Sequence, residues 1–151
     1  MRAVIEGYAA VFGVPDLSGD TIRRGAFEKL IPAAAGRVKM LAQHAAEAPV
    51  GRWVRIEEDA VGLKVRGELF TDTDEGRNLY RLLAGGALDG LSIGFKPVRA
   101  RRTRTGREIL EADLWEVSIV TFPMAPTARI TFVGDEGEAS RPPRDLLRGT
   151  R

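Results

Sequence analysis

The stretch "VGRWVRIEEDAVGLKVRGELF", Val50 to Phe70, decides how this chain folds. In its second half Leu63, Val65 and Leu69 alternate with Lys64, Arg66 and Glu68. A period of two belongs to a strand with one side on a core and the other toward water. The break at Glu58, Asp59 and Ala60 puts a turn between the halves, so the stretch predicts a β-hairpin.

The neighbouring segments extend the same reading. "AVIEGYAAVFG" reads as an opening strand ended by glycine, and "VPDLSGD" as a loop. "RGAFEKLI" predicts a short helix stopped by Pro32, and "GRVKMLAQH" a strand that leaves His44 at or just past its end. Downstream, "TDTDEGRNLYRLLAGGAL" is the strongest helix signal. Asp72 with Glu75 reads as its capping pair, Leu79, Leu82 and Leu83 as its apolar face, and Gly85–Gly86 as its stop. "GLSIGFKPVRARR" and "REILEADLWEVSIVTF" read as two strands turning at "TRTG", with "ARITFV" as a last short strand. From Gly134 the pattern is lost, which predicts one domain over residues 1–133 and a mobile tail over 134–151. The fold class expected is mainly β with peripheral helices (α+β), a barrel or sandwich with helices packed outside.

Composition narrows the chemistry. No apolar run approaches the ~18–20 residues that cross a bilayer, and "MRAVIEGYAAVFG" meets Glu6 and Gly7 too early for a signal peptide. Cysteine is absent, which removes disulfides, thiolate metal sites and cysteine nucleophiles together. A single histidine, His44, argues against zinc. It also makes His44 the one possible imidazole base. The net charge of +2 is too small to imply a nucleic-acid partner by itself.

The chain has four serines, at 18, 92, 118 and 140. Ser92 lies in "GLSIGF" with Gly94 on its own side of the strand, a small and open face. It is either a packed core residue or a nucleophile; "GLSIG" spells G-x-S-x-G, yet it reads as strand and not as a strand-to-helix turn, so a nucleophile elbow is not indicated. Glu116 shares a strand face with Leu114, Ser118 and Val120, where a carboxylate is costly unless paired. It either faces water from an edge strand or accepts an imidazole N–H. Ser118, two residues on, is the rival nucleophile. The basic run "RARRTRTGR", with Arg99, Arg101, Arg102, Arg104 and Arg107, could grip phosphates, yet lacks aromatics that stack bases. It reads more simply as a solvated hairpin tip.

Taken together, "GYAAVFGVPDLSGDTIRRGAF", "QH…VGRW", "GLKVRGEL", "LDGLSIGF" and "LWEVSIVTFPMAPTARI" resemble the HK97-type prohead proteases of tailed phages, relatives of the herpesvirus assemblins. Gene transfer agents carry proteases of the same kind. The resemblance covers about residues 4–132. It implies an assemblin-like closed β-barrel surrounded by helices, and a serine endopeptidase that needs no metal or cofactor. By motif, Ser92 matches the nucleophile, His44 the general base and Glu116 the third triad member. Backbone N–H groups of Met124 and Ala125 in "FPMAP" match the oxyanion hole, since the flanking prolines cannot donate. Ala45 and Ala125 depart from the family's frequent Asp and Asn at those places.

The implied partners are the major capsid protein with its scaffolding segment, and further copies of the chain as a homodimer or higher assembly. The implied place of action is the assembling procapsid in the host bacterial cytoplasm, with no membrane and no specific nucleic acid. Two rival readings are a catalytically inactive capsid-assembly or scaffold protein and a small nucleic-acid-binding β-barrel using the arginine run.

Overall fold

The computed structural model describes residues 2–135, so the expected tail, beyond its first two residues, lies outside the described part. The elements run β1 (Ala3–Val11), β2 (Asp20–Ile22), α1 (Ile31–Arg37), β3 (Lys39–Ala42), β4 (Pro49–Glu58) and β5 (Gly62–Leu69). They continue α2 (Asp74–Ala84), β6 (Gly90–Arg102), β7 (Arg107–Val120) and β8 (Ile130–Gly134). No helix among the described residues is long and apolar enough to cross a membrane.

β4 and β5 form the expected antiparallel hairpin, with Leu63, Val65 and Leu69 fully buried. The β4 half does not alternate in sequence, because Val50, Trp53 and Ile56 are the buried residues. Two register irregularities account for this spacing of three. One leaves Val50 extra against β3, and the other leaves Val54 extra against β5. Bulges of this kind bend a strand and increase its twist. At the second bulge the Trp53 indole lies over Gly67, where a Cβ would stand 2.7 Å from the ring. The indole N–H then reaches across to the Val117 carbonyl at 3.3 Å.

All eight strands join one sheet in the order β2–β7–β3–β4–β5–β1–β8, with β6 on the remaining edge of β7. The long β7 takes β2 in parallel along residues 107–109 and β3 in parallel along 116–119, while β6 runs antiparallel to it throughout. The sheet curls, but the expected closed barrel is not formed. Its two ends, β6 and β8, meet at a single isolated bridge between Gly90 and Arg129. That contact is flanked by Leu91 N–H to Ala128 O (3.0 Å) and Ile130 N–H to Asp89 O (2.7 Å). Closure needs a continuous ladder with matched stagger. Here β8 is five residues long and pairs with β1, so β6 beyond Leu91 keeps a free edge among the described residues. Nor do helices surround the sheet: there are two, of 7 and 11 residues, in the described part.

Helix boundaries differ from expectation at both sites. Residues 24–30 form turns, and Pro32 opens α1 rather than closing a helix. Proline suits a first helical turn, where its missing N–H has no partner to lose. The preceding turns are held from outside, since the Glu58 carboxylate accepts the N–H groups of Gly25 (3.1 Å) and Phe27 (3.2 Å). In α2 the cap is Thr73, whose hydroxyl accepts the Gly76 N–H at 3.0 Å, and not the Asp72–Glu75 pair. Leu79 and Leu83 pack inward while Leu82 is largely exposed.

The basic ribbon formed by the far ends of β6 and β7 is partly neutralised within the fold. Glu108 binds both Arg23 (2.5 Å) and Arg101, and Arg107 makes a two-pronged contact with Asp20 (2.9 and 2.8 Å). The guanidiniums of Arg23 and then Arg101 hold the Glu108 carboxyl below its ordinary value of 4.5. A lowered folded pKa contributes stability that is present above the ordinary value and disappears as pH falls through the folded one. Wild type should therefore melt above Glu108→Gln at neutral pH. The gap in Tm should narrow below about pH 4.5 and vanish in stronger acid, as read by circular dichroism.

Candidate active site

The site is assembled where β3, β6 and β7 run side by side. Cross-strand register places Ser92 opposite Ser118 and Gly94 opposite Glu116, so their side chains share one face of the sheet. Glu116 and Ser118 are two apart on β7 and point the same way, as period two requires. β3 pairs with this part of β7 from its other edge, Leu41 facing Ser118 and Ala42 facing Ile119. The chain then turns sharply, and His44 is carried back over Glu116.

That turn is unusual. Gln43 and His44 both lie in the left-handed region, at φ 54° and 59°. Such residues cost of order 1–3 kcal/mol each unless the surroundings hold them. Several bonds do so. Gln43 N–H donates to Ile119 O (2.9 Å), the Gln43 amide donates to the Thr121 hydroxyl (2.8 Å), and Ala45 N–H donates to Ala42 O (3.0 Å). His44 N–H donates to Ser118 Oγ at 3.1 Å.

His44 Nδ1 makes a short contact with Glu116 Oε1. Against an ionised carboxylate, which only accepts, Nδ1 is the donor, and in the neutral ring Nε2 then keeps its lone pair. The second carboxylate oxygen, Oε2, accepts the Ser118 hydroxyl at 2.6 Å. The edge-strand alternative for Glu116, with its carboxylate in water, is therefore not what the fold builds. Ser118 is fully buried and Ser92 is 6% exposed. Ser92 and His44 share no hydrogen bond among the described residues.

Beside Ser92 lies a small cleft. Its lining includes Ala9, Ala10 and Val11 of β1, Ile93 and Phe95 of β6, and Val14, Asp16, Met124 and Ala125 of two loops. The two loops are tied together by Leu17 N–H to Met124 O at 3.0 Å. Asp16 fixes its own loop, accepting from Ser18 N–H (2.9 Å), the Ser18 hydroxyl (2.6 Å) and Asp20 N–H (2.9 Å). In these loops Leu17 and Met124 are exposed, and Phe122, two residues before Met124, is 90% exposed. The N–H groups of Met124 and Ala125 donate to no acceptor among the described residues.

Two features were not read from the sequence, and a third differs from its alternation, which puts Trp115 on one face with Val117 and Ile119. Gly94 serves the carboxylate: a Cβ there would sit 2.5 Å from Glu116 Oε1. Trp115 is not on the face of Val117 and Ile119, because the register shifts between Gly94 and Phe95 and leaves it bulged out, 58% exposed. The contribution of β1 and the 14–20 loop to the cleft has no sequence signal, since Ala9, Ala10 and Val14 are ordinary strand and loop residues.

Comparison with solved structures finds a similar fold in several viral proteases. The capsid assembly protease of bacteriophage T4 superposes with a TM-score of 0.63 at 15% identity, covering 78% of this chain and 80% of that one. Varicella-zoster virus protease gives 0.63 at 14% identity, covering 93% and 67%. The Kaposi's sarcoma herpesvirus protease bound to a hexapeptide phosphonate inhibitor gives 0.57 at 12% identity, covering 92% and 68%. The fold is thus a curled sheet similar to that of these viral proteases, and a His–Glu pair lies on the sheet face that bears Ser92.

The chain belongs to the Caudovirus prohead serine protease family, whose model matches residues 1–141. The prohead protease of Enterobacteria phage HK97 is 35% identical over 133 residues, which cover 85% of this chain and 59% of that protein. The chain thus spans about three-fifths of the length of this curated relative.

Proposed function

We propose that this chain is a serine endopeptidase that matures a phage-like procapsid, cutting the scaffolding segment of the major capsid protein and itself. The observation that carries the reading is the pairing of the sole imidazole with a carboxylate on the sheet face that bears Ser92. In this mechanism Glu116 holds the Nδ1–H tautomer and stabilises the imidazolium. His44 Nε2 takes the Ser92 proton as Oγ bonds to the scissile carbonyl carbon. Met124 and Ala125 N–H groups receive the oxyanion. His44 returns the proton to the leaving amine nitrogen as the C–N bond breaks, and water repeats the sequence on the acyl-enzyme.

The Ser92–His44 bond is expected to form when substrate fills the cleft, since catalytic bonds are often loose in the free enzyme. Family membership supports capsid protein inside the procapsid as substrate and partner, and the proposal includes several copies of the protease assembled there. The internal pairing of Arg101 and Arg107 favours this reading over nucleic-acid binding by the ribbon. The test is reaction with a fluorophosphonate, with the modified residue located by mass spectrometry in concentrated protein and in capsid-protein co-assemblies. Label on Ser92 supports the reading. Label on another serine overturns the assignment of Ser92, and none in either sample overturns the reading in favour of the inactive assembly protein.

A further inference from the structure

We infer that Ser118 is a positioning residue that locks the acid and the base of the site to each other, an inference that rests on the protease reading above. A serine hydroxyl has one proton to give and two lone pairs. Here the proton goes to Glu116 Oε2 at 2.6 Å, within the 2.5–2.7 Å range typical of a hydroxyl on a carboxylate. A lone pair takes the His44 backbone N–H at 3.1 Å. Both bonds therefore converge on one residue, through the carboxylate that holds its ring and through its own main chain.

The placement explains why a polar group is kept at a fully buried strand position. Glu116 has two oxygens, and the imidazole occupies one of them. Without a donor on the second, the carboxylate could rotate away from Nδ1. His44 sits at a positive φ that needs external support, and the main-chain bond to Ser118 is part of that support. Ser118 also lies directly across from Ser92. The nucleophile, the acid and the base are thus each indexed to the same β7 position. Its complete burial is also what argues against Ser118 as the nucleophile, despite its facing the same side.

The test compares Ser118→Ala, Ser118→Cys and Ser118→Thr in the full chain. Cysteine keeps the volume but accepts and donates poorly, whereas threonine keeps the hydroxyl. Two readouts are taken: the fluorophosphonate labelling rate at Ser92 against probe concentration, and the ring N–H signal of the sole histidine by NMR. Expected is a fall of about 10- to 100-fold in maximal labelling rate for Ala and Cys, the size common for residues that orient a site's ligands. Probe half-saturation should be unchanged, and the downfield Nδ1–H signal should shift or exchange away. Threonine should restore both.

Equal labelling rates and an unmoved ring signal in folded Ser118→Ala would overturn the assignment. So would full activity in the cysteine variant, because packing alone would then suffice. A wild type that takes no label while its ring signal still responds to Ser118→Ala overturns the protease reading and upholds the His44–Glu116–Ser118 linkage. Label found on Ser118 itself overturns both its positioning role and the assignment of Ser92.

Discussion

Ser92→Ala is expected to take no fluorophosphonate label and to lose peptide cleavage by on the order of 10⁴-fold or more, with His44→Ala falling to the same level. The two losses should not add in the double variant, because residues that act as a unit fail together. Fold is not at stake in either case. Ser92→Ala removes only a hydroxyl from a site open to the cleft, and the His44 side chain is nearly half exposed. Equal melting temperatures with activity lost in both is the expected result. A Ser92→Ala protein that still cleaves at the wild-type rate, or a His44→Ala protein that labels normally, would remove the mechanism. With one histidine in the chain, no neighbouring imidazole can substitute, so the His44 result is unusually direct.

What the sequence made legible follows from how local its signals are. The β4–β5 hairpin was readable because Leu63, Val65 and Leu69 alternate with charged residues, and the fold uses that alternation as written. Scarcity left His44 as the one possible imidazole, whereas for Glu116 the pattern left both water and an imidazole partner open, and the fold shows the pairing. Long-range features were hidden. Nothing in "VGRWVRI" announces that Val50 and Val54 are bulged, since a bulge is a relation between two strands. Pro32 signals a helix boundary without saying which end, and the answer depends on Glu58 holding residues 25 and 27 from another element. Closure of the barrel was an expectation of resemblance. It failed on the length and pairing of β8, which only the assembled sheet decides.

Gly94→Ala is expected to lower activity by about 10²-fold or more with little change in stability, a larger effect than its distance from bond-making would suggest. The added Cβ would meet Glu116 Oε1 at 2.5 Å, Cγ at 2.8 Å and Cδ at 2.9 Å. All three atoms belong to one side chain, so relief comes from turning the carboxylate rather than from moving backbone. Turning it breaks the contact to His44 Nδ1, the hydroxyl bond from Ser118, or both. Displacing a catalytic group by about 1 Å can cost 10²-fold, while the sheet register at Gly94 needs no change to admit alanine. Glu116→Gln should fall at least as far, since an amide cannot stabilise the imidazolium. The discriminating result is the double variant. Once Glu116 is Gln, Gly94→Ala should add little further loss, because the carboxylate it displaces is already gone. A full multiplicative loss in that double variant would mean that Gly94 is kept for the approach of a substrate backbone to Ser92, and that its contact with Glu116 is incidental.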